Sequence, residues 1–295
     1  VETLYRPNGP FDLALTLGRL RSGPFDPTVR IDAQGAYWRA TRTPEGPATS
    51  RVVRLPSGDV QVQAWGDGAE WVIASAPELL GARDTLDGFE PDGKLAALHR
   101  RFLGMRIGRS RAVFETAAAV ALEQLVTSRE AHTSWRRLVL ATSELAPGPL
   151  ELWLPPTPEA LAAFPLFELR AVGVDAKRGR ALHAIARHAR RLDEATELAL
   201  DAARSRLLAV PGIGPWTAAC VAGEALGDAD AVAVGDFHLA NTVTYAFTGD
   251  PRGDDARMLG LLAPYAGHRG RVVRLIEAAG IHAPRFGPRR PLRRA

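Results

Sequence analysis

The sequence predicts an α+β protein, with an N-terminal antiparallel sheet domain followed by an all-helical region. Three observations carry that prediction. Up to about residue 92, apolar residues fall in short alternating or β-rich runs divided by Pro/Gly turns. Over residues 95–282 the apolar spacing becomes that of helices. Within that second stretch, a tight Pro211-Gly212-Ile213-Gly214 corner joins two of the helical patterns.

In chain order, Phe11-Asp12-Leu13-Ala14-Leu15-Thr16-Leu17 alternates with period two, as a strand does. Residues 29–31, 36–42, 51–55 and 60–65 are short β-like runs. Pro44-Glu45-Gly46-Pro47 and Pro56-Ser57-Gly58-Asp59 read as turns between them. Residues 13–21, which overlap the first run, and 76–82 have helical character. Among the helices, 112–125 gathers Val113, Ala117, Val120 and Ala121 on one face. Asp175 is placed to cap 176–191, whose stripe is Ala181, Leu182, Ile185 and Ala189. Residues 193–208, 216–226, 237–248, 254–262 and 267–279 follow, the last stopped by Gly280. The proline-rich stretch 146–157 reads as a surface connector. The division is therefore 1–100, 101–282, and a basic tail at 283–295 containing Arg285, Arg289, Arg290, Arg293 and Arg294.

Composition narrows the function classes. With 295 residues, 46% hydrophobic and 24% charged, the chain has an ordinary globular mix with room for two cores. A disordered, collagenous or coiled-coil protein is excluded. No apolar run reaches the roughly 18 residues of a membrane helix, and no signal peptide opens the chain; Val1 points to a trimmed start. The single cysteine, Cys220, excludes an internal disulfide and a four-cysteine zinc or iron–sulfur site. A cytoplasmic protein without a membrane partner is expected. Of 37 basic residues only Lys94 and Lys177 are lysines, so a mechanism that needs a lysine amine has two candidates. The tail arginines suit a polyanion or simply a solvated end.

The corner has a specific chemistry. Gly212 and Gly214 permit positive φ and leave no Cβ between backbone and ligand, and Pro215 suits the first turn of a helix. Free amides of the turn and of the new helix then form a phosphate cradle, anchored by Ile213. Twenty residues beyond Trp216 comes Gly235-Asp236-Phe237-His238, whose aspartate opens a helix. Taken alone, Asp236 is explained by capping.

Corner and aspartate together, at this spacing, resemble the helix–hairpin–helix DNA glycosylase superfamily. Within it, the chain looks most similar to bacterial DNA-3-methyladenine glycosylase II, in its actinobacterial branch. Four further segments carry the likeness in order: Leu4-Tyr5-Arg6-Pro7, Glu123-Gln124-Leu125-Val126-Thr127-Ser128, Gly173-Val174-Asp175-Ala176-Lys177-Arg178 and Tyr265-Ala266-Gly267-His268-Arg269. The resemblance implies a half TATA-binding-protein-like sheet domain and two helical subdomains flanking a cleft.

It also implies an activity: excision of alkylated purines of the 3-methyladenine and 7-methylguanine type from damaged double-stranded DNA, within base excision repair. Asp236 would be the catalytic carboxylate, stabilising positive charge on the sugar. Leu125 would wedge into the stack when the nucleotide flips out, with Gln124 beside it. Trp216 and Phe237 would face the lesion, whose cationic ring suits aromatic faces. Cys220 and Glu277 occupy further pocket positions, where a well-studied branch has aromatic rings, and Glu123 replaces a small residue. Gly212, Ile213, Gly214, Lys177 and Arg269 would contact DNA. Trp216 stands where strand-cutting members carry a Schiff-base lysine, so the implied enzyme is monofunctional and leaves an abasic site for downstream processing enzymes. A monomer with no required cofactor, zinc or iron–sulfur cluster is expected. A structural Na⁺ or K⁺ ion at the hairpin would use the carbonyls of Leu208, Val210 and Ile213. Two alternatives stay open: a glycosylase for an oxidised, deaminated or bulky lesion, and a non-catalytic DNA-binding module.

Overall fold

The computed structural model describes residues 1–284, so the arginines of the basic tail lie outside the described residues. The N-terminal sheet comprises β1 (Glu2–Tyr5), β2 (Val29–Ile31), β3 (Tyr37–Thr43), β4 (Gly46–Arg54) and β5 (Val60–Trp65). Every pairing is antiparallel, in the order β1-β5-β4-β3-β2. Strands β2 to β5 form a meander, and β1 closes the far edge against β5. Along β5 burial alternates: Val60, Val62 and Ala64 point inward, as a pleat with one core face requires. Val60 and Val62 meet Phe11, Leu17, Tyr37, Val52, Leu79 and Leu80, and Ala64 meets Ala48, Ala69 and Val72, partly supplied by α1 (Leu13–Leu17) and α2 (Ala69–Leu79).

Two sequence expectations fail here. The alternating run 11–17 is not a strand; most of it is α1. Asp12 caps that helix by accepting from the Leu15 amide at 2.9 Å, and a seven-residue leucine alternation cannot distinguish the two periods. The stretch 146–157 is not a surface connector. Leu152 and Leu154 are fully buried against Ala36, Trp38 and Ala40, and Leu145 bridges Trp153. The sheet exposes a second apolar face, on which Trp38 stacks on Trp65 at 5.5 Å. This extended segment covers part of that face.

The helical region runs through α3 (Gly93–Arg101), α4 (Val113–Glu123), α5 (Ser128–Thr142), α6 (Pro158–Ala163) and α7 (Leu166–Ala171). It continues with α8 (Ala176–Arg187), α9 (Ala189–Asp193), α10 (Leu200–Leu208) and α11 (Pro215–Val221), and ends with α12 (Leu239–Thr248), α13 (Asp255–Leu262) and α14 (Arg269–Ala278). Asp175 caps α8 as expected, accepting from the Lys177 and Arg178 amides. Helix α5, unassigned from sequence, starts with a full capping box between Thr127 and Glu130.

Two cores result. One, built on α4 to α11, contains Val113, Leu138, Leu182, Ile185, Leu207 and Val221. The other joins α12 to α14 with Phe89 and Leu95 of the α3 segment, so residues 89–101 pack with the C-terminal helices rather than with the sheet. A largely buried ion pair between Arg271 and Asp84 ties α14 to the segment after α2. Breaking one partner of such a pair costs about 3–5 kcal/mol. The first core's last helix continues past α11 as one π-helical turn, Ala222–Leu226, stopped by Gly227 at φ 71°. Such turns recur at functional sites, and this one projects toward the space between the two cores.

Candidate active site between the two helical cores

The hairpin between α10 and α11 sits where the sequence predicts. Ile213 is buried while Pro211, Gly212, Gly214 and Pro215 are exposed, so its side chain anchors a solvent-facing turn. Gly212 has φ 92°, and a Cβ there would lie 2.6 Å from Ala181 of α8; it is glycine for both reasons. Gly214 departs from expectation. Its φ is −94° and its backbone extended, the conformation imposed before a proline. The space where its Cβ would point is open, so the amides there are approachable. Among the candidate ion ligands, the Val210 carbonyl already accepts the Ile213 amide at 3.0 Å. That leaves it a second lone pair. Three backbone carbonyls are a hard oxygen set compatible with an alkali cation.

Leu125 follows the end of α4. Its side chain is 72% exposed and its φ is +58°, a left-handed conformation that costs a non-glycine residue about 1–2 kcal/mol. Two contacts fix the turn. Gln124 donates from Nε2 to the Gly212 carbonyl at 2.9 Å and to the Thr217 hydroxyl at 3.0 Å. Arg178, buried at the start of α8, donates to the Leu122 carbonyl at 2.8 Å, to the Gly173 carbonyl and to Asp175. The sequence singled out Lys177, which is exposed on α8; its neighbour Arg178 is the residue that holds the Leu125 turn.

Between the cores lies a cavity of about 450 Å³ lined by Trp216, Cys220, Asp236 and Glu277, four of the positions expected there. Asp236 is fixed by three donors. Its Oδ2 accepts from Trp216 Nε1 at 3.0 Å, and its Oδ1 accepts the His238 and Leu239 amides at 2.8 and 2.9 Å. It therefore caps the approach to α12 and still faces the cavity. The indole of Trp216 orients the carboxylate, a role that the sequence did not reveal. Glu277 accepts from Arg19 at 2.6 Å, and Arg19 also pairs with Glu224 of the π turn at 3.7 Å. Burial raises the Glu224 carboxyl above its ordinary range, and Glu277 adds to this. Burial, with Glu224 beside it, holds the Cys220 thiol far above its ordinary value and so neutral.

One expected pocket residue stands elsewhere. Phe237 is 87% exposed, edge-on to His238, and does not line the cavity. Arg269 is held in a two-pronged pair with Asp230, 2.8 Å through its Nε. Among the lining residues that the sequence does not assign to the pocket are Glu123, Arg19 and Glu224. The available signal was Glu123 itself, an acid as the last residue of α4, where the helix dipole disfavours it. Among the described residues no cluster of three or more His, Cys, Asp or Glu could hold a metal ion, and no helix is long and apolar enough to cross a membrane.

The whole architecture matches the 3-methyladenine DNA glycosylase of Archaeoglobus fulgidus, with a TM-score of 0.78 at 20% identity over 93% of this chain and 97% of that one. The chain has the helix–hairpin–helix DNA glycosylase fold. The same fold is shared with the 8-oxoguanine glycosylase/lyase of Clostridium acetobutylicum in its apo form, at a TM-score of 0.72 and 14% identity, covering 94% of this chain and 95% of that one. In sequence, the chain is 34% identical over 168 residues to the probable bifunctional transcriptional activator/DNA repair enzyme AlkA of Mycobacterium tuberculosis. That match covers 52% of this chain and 30% of the relative, so the chain spans under a third of the curated relatives it matches. No family model matches the chain. Gln124 ties the Leu125 turn to the hairpin, and Trp216, just past the hairpin, holds the carboxylate of Asp236.

Proposed function

We propose that the chain is a monofunctional DNA glycosylase that flips alkylated purines out of the duplex and hydrolyses their N-glycosidic bond. The observation that carries this reading is Asp236, a carboxylate fixed by three donors at a cavity sized for a base. The hairpin amides would grip the DNA backbone without reading sequence. Leu125, already exposed, would fill the gap left by the flipped nucleotide.

The chemistry then follows from charge. As the C1′–N bond breaks, its electron pair stays with the base and positive charge develops on the sugar. The fixed carboxylate of Asp236 stabilises that charge without reorganising. Water adds to C1′ and passes its proton to Asp236 or to solvent, leaving an abasic site for downstream enzymes. No lysine lines the cavity among the described residues, and Trp216 occupies the position of a Schiff-base amine. This supports hydrolysis without strand cutting. An alkali ion held by the Leu208, Val210 and Ile213 carbonyls would stiffen the hairpin and take no part in the chemistry.

The test is single-turnover base release from duplex DNA methylated at purines, with wild type beside Asp236→Asn. Release by wild type, lost in a folded variant that still binds DNA, is the expected result. A variant as fast as wild type overturns the assignment of Asp236. Binding without release from methylated, oxidised, deaminated or bulky substrates would leave a DNA-binding module. Borohydride should trap no covalent adduct on damaged DNA.

A further inference from the structure

Glu123 has no structural reason to be an acid. It is the last residue of α4, so it sits at the negative end of that helix's dipole. Its side chain faces the cavity and forms no hydrogen bond or ion pair among the described residues. The nearby cations are committed elsewhere. Arg19 is shared between Glu277 and Glu224, and Arg274 donates to the Gly223 carbonyl at 2.6 Å. Arg178 serves the Leu122 and Gly173 carbonyls and Asp175. The ionisable groups that bear on Glu123 are Glu224 on the π turn, Asp236 before α12, Arg19 after α1 and Cys220 on α11. Two of these are further acids, and the thiol is neutral. Burial and the neighbouring carboxylate of Glu224 push Glu123 up to about 7. The wall thus presents a half-buried acid that forms no ion pair among the described residues, and Trp216 faces the same space from the hairpin side.

We infer that Glu123 is a specificity-determining residue, whose carboxylate supplies the counter-charge for a purine made cationic by alkylation of a ring nitrogen. This rests on the glycosylase reading above and adds to it the means of discrimination. A ring nitrogen that gains an alkyl group carries a positive charge with no proton to lose, so burial cannot neutralise it. A neutral lesion offers Glu123 no such charge. The carboxylate does the work that a second aromatic face would otherwise do, while Phe237 points away from the cavity.

The reaction separates Glu123 from Asp236. Positive charge starts on the base and ends on the sugar as the glycosidic bond breaks, and the released base is neutral. Glu123 therefore favours the bound cationic nucleotide, and Asp236 favours the transition state. The first effect appears in half-saturation and the second in the rate at saturation.

The experiment measures single-turnover release against protein concentration for two duplexes, one carrying a 7-methylguanine and one a hypoxanthine. Glu123→Gln keeps the shape and removes the charge. Its half-saturating concentration for 7-methylguanine should rise roughly tenfold, about 1.4 kcal/mol, with the saturating rate unchanged or raised, because the base has lost its charge in the transition state. Binding to the hypoxanthine duplex should stay within about twofold, well inside that tenfold step. Glu123→Asp, which retains the charge, should retain the preference for the cationic lesion and serves if the Gln variant folds poorly. An equal loss on both duplexes, or a saturating rate that falls while half-saturation holds, overturns the proposal. Wild type that releases only hypoxanthine overturns it too, yet leaves the glycosylase reading standing. Release of neither base, or of any lesion in the wider panel, with duplex binding retained, fails both.

Discussion

The loop before α12 and the C-terminal end of α4 each bring one acid to the same cavity, and they hold it in opposite ways. Asp236 accepts two backbone amides and an indole N–H, so its position is set before any ligand arrives. Glu123 accepts nothing from the described residues, and burial drives it toward its neutral form. A fixed carboxylate suits a charge that appears briefly during reaction. A carboxylate without a partner suits a charge that arrives with the ligand. The difference teaches that the residues around an acid, more than the acid itself, decide which step it can serve.

The largest effect should come from removing the fixed acid. Asp236→Asn is expected to slow base release by roughly 100-fold or more, the scale of losing an aligned electrostatic group. Duplex affinity measured by anisotropy should hardly change. Were affinity to fall with the rate, the two acids would not divide binding from chemistry.

Glu123 gives the next effect, visible without DNA. Its carboxyl holds a proton more tightly in the folded chain than the ordinary value of 4.5 allows in the unfolded one, and titrates at about 7. Between those values the folded state binds more protons, so stability falls as pH rises through the window and levels off above it. The loss is on the order of 3 kcal/mol. Denaturant melts of Glu123→Gln should lack that component and exceed wild type at pH 8, with little difference at pH 4. Parallel pH profiles for the two proteins would show that Glu123 already has a partner.

A smaller effect is expected at the Leu125 turn. Leu125→Ala should slow release from duplex DNA roughly tenfold, the cost of losing an apolar wedge of about 1–2 kcal/mol. Release from single-stranded DNA, where no gap needs filling, should match wild type. Smallest is Trp216→Phe, which keeps a ring and removes one donor to Asp236. A single hydrogen bond is worth about 1 kcal/mol, so the rate should drop about fivefold. A drop as large as that of Asp236→Asn would mean that the indole does more than orient the acid.

The legibility of the chain follows the range of its interactions. The hairpin is local: Pro211, Gly212, Ile213 and Pro215 encode the corner, its anchor and the next helix within five residues. Asp175 and Gly280 likewise announce a helix start and stop. The cavity is not local. Arg19 reaches Glu277 across 258 positions, and Trp216 meets Asp236 across 20; no periodicity encodes either contact. Position alone put Phe237 in the pocket, whereas the loop turns its ring outward. At α1, the cap at Asp12 outweighed a leucine alternation too short to decide between helix and strand. Residues 146–157 read as a surface connector because prolines mark irregular backbone without marking exposure, and Leu152 and Leu154 are explained only by the Trp38 face of the sheet.

The side chain of Gln124 has a mechanical consequence. By donating to the Gly212 carbonyl and the Thr217 hydroxyl, it ties the Leu125 turn to the hairpin. On the proposed reading, the part that grips the strand and the part that tests the stack are held together by those two hydrogen bonds. Every step along a duplex would then press the same leucine against the next base pair. The search for damage becomes a succession of identical small pushes, answered only where a pair is already weak.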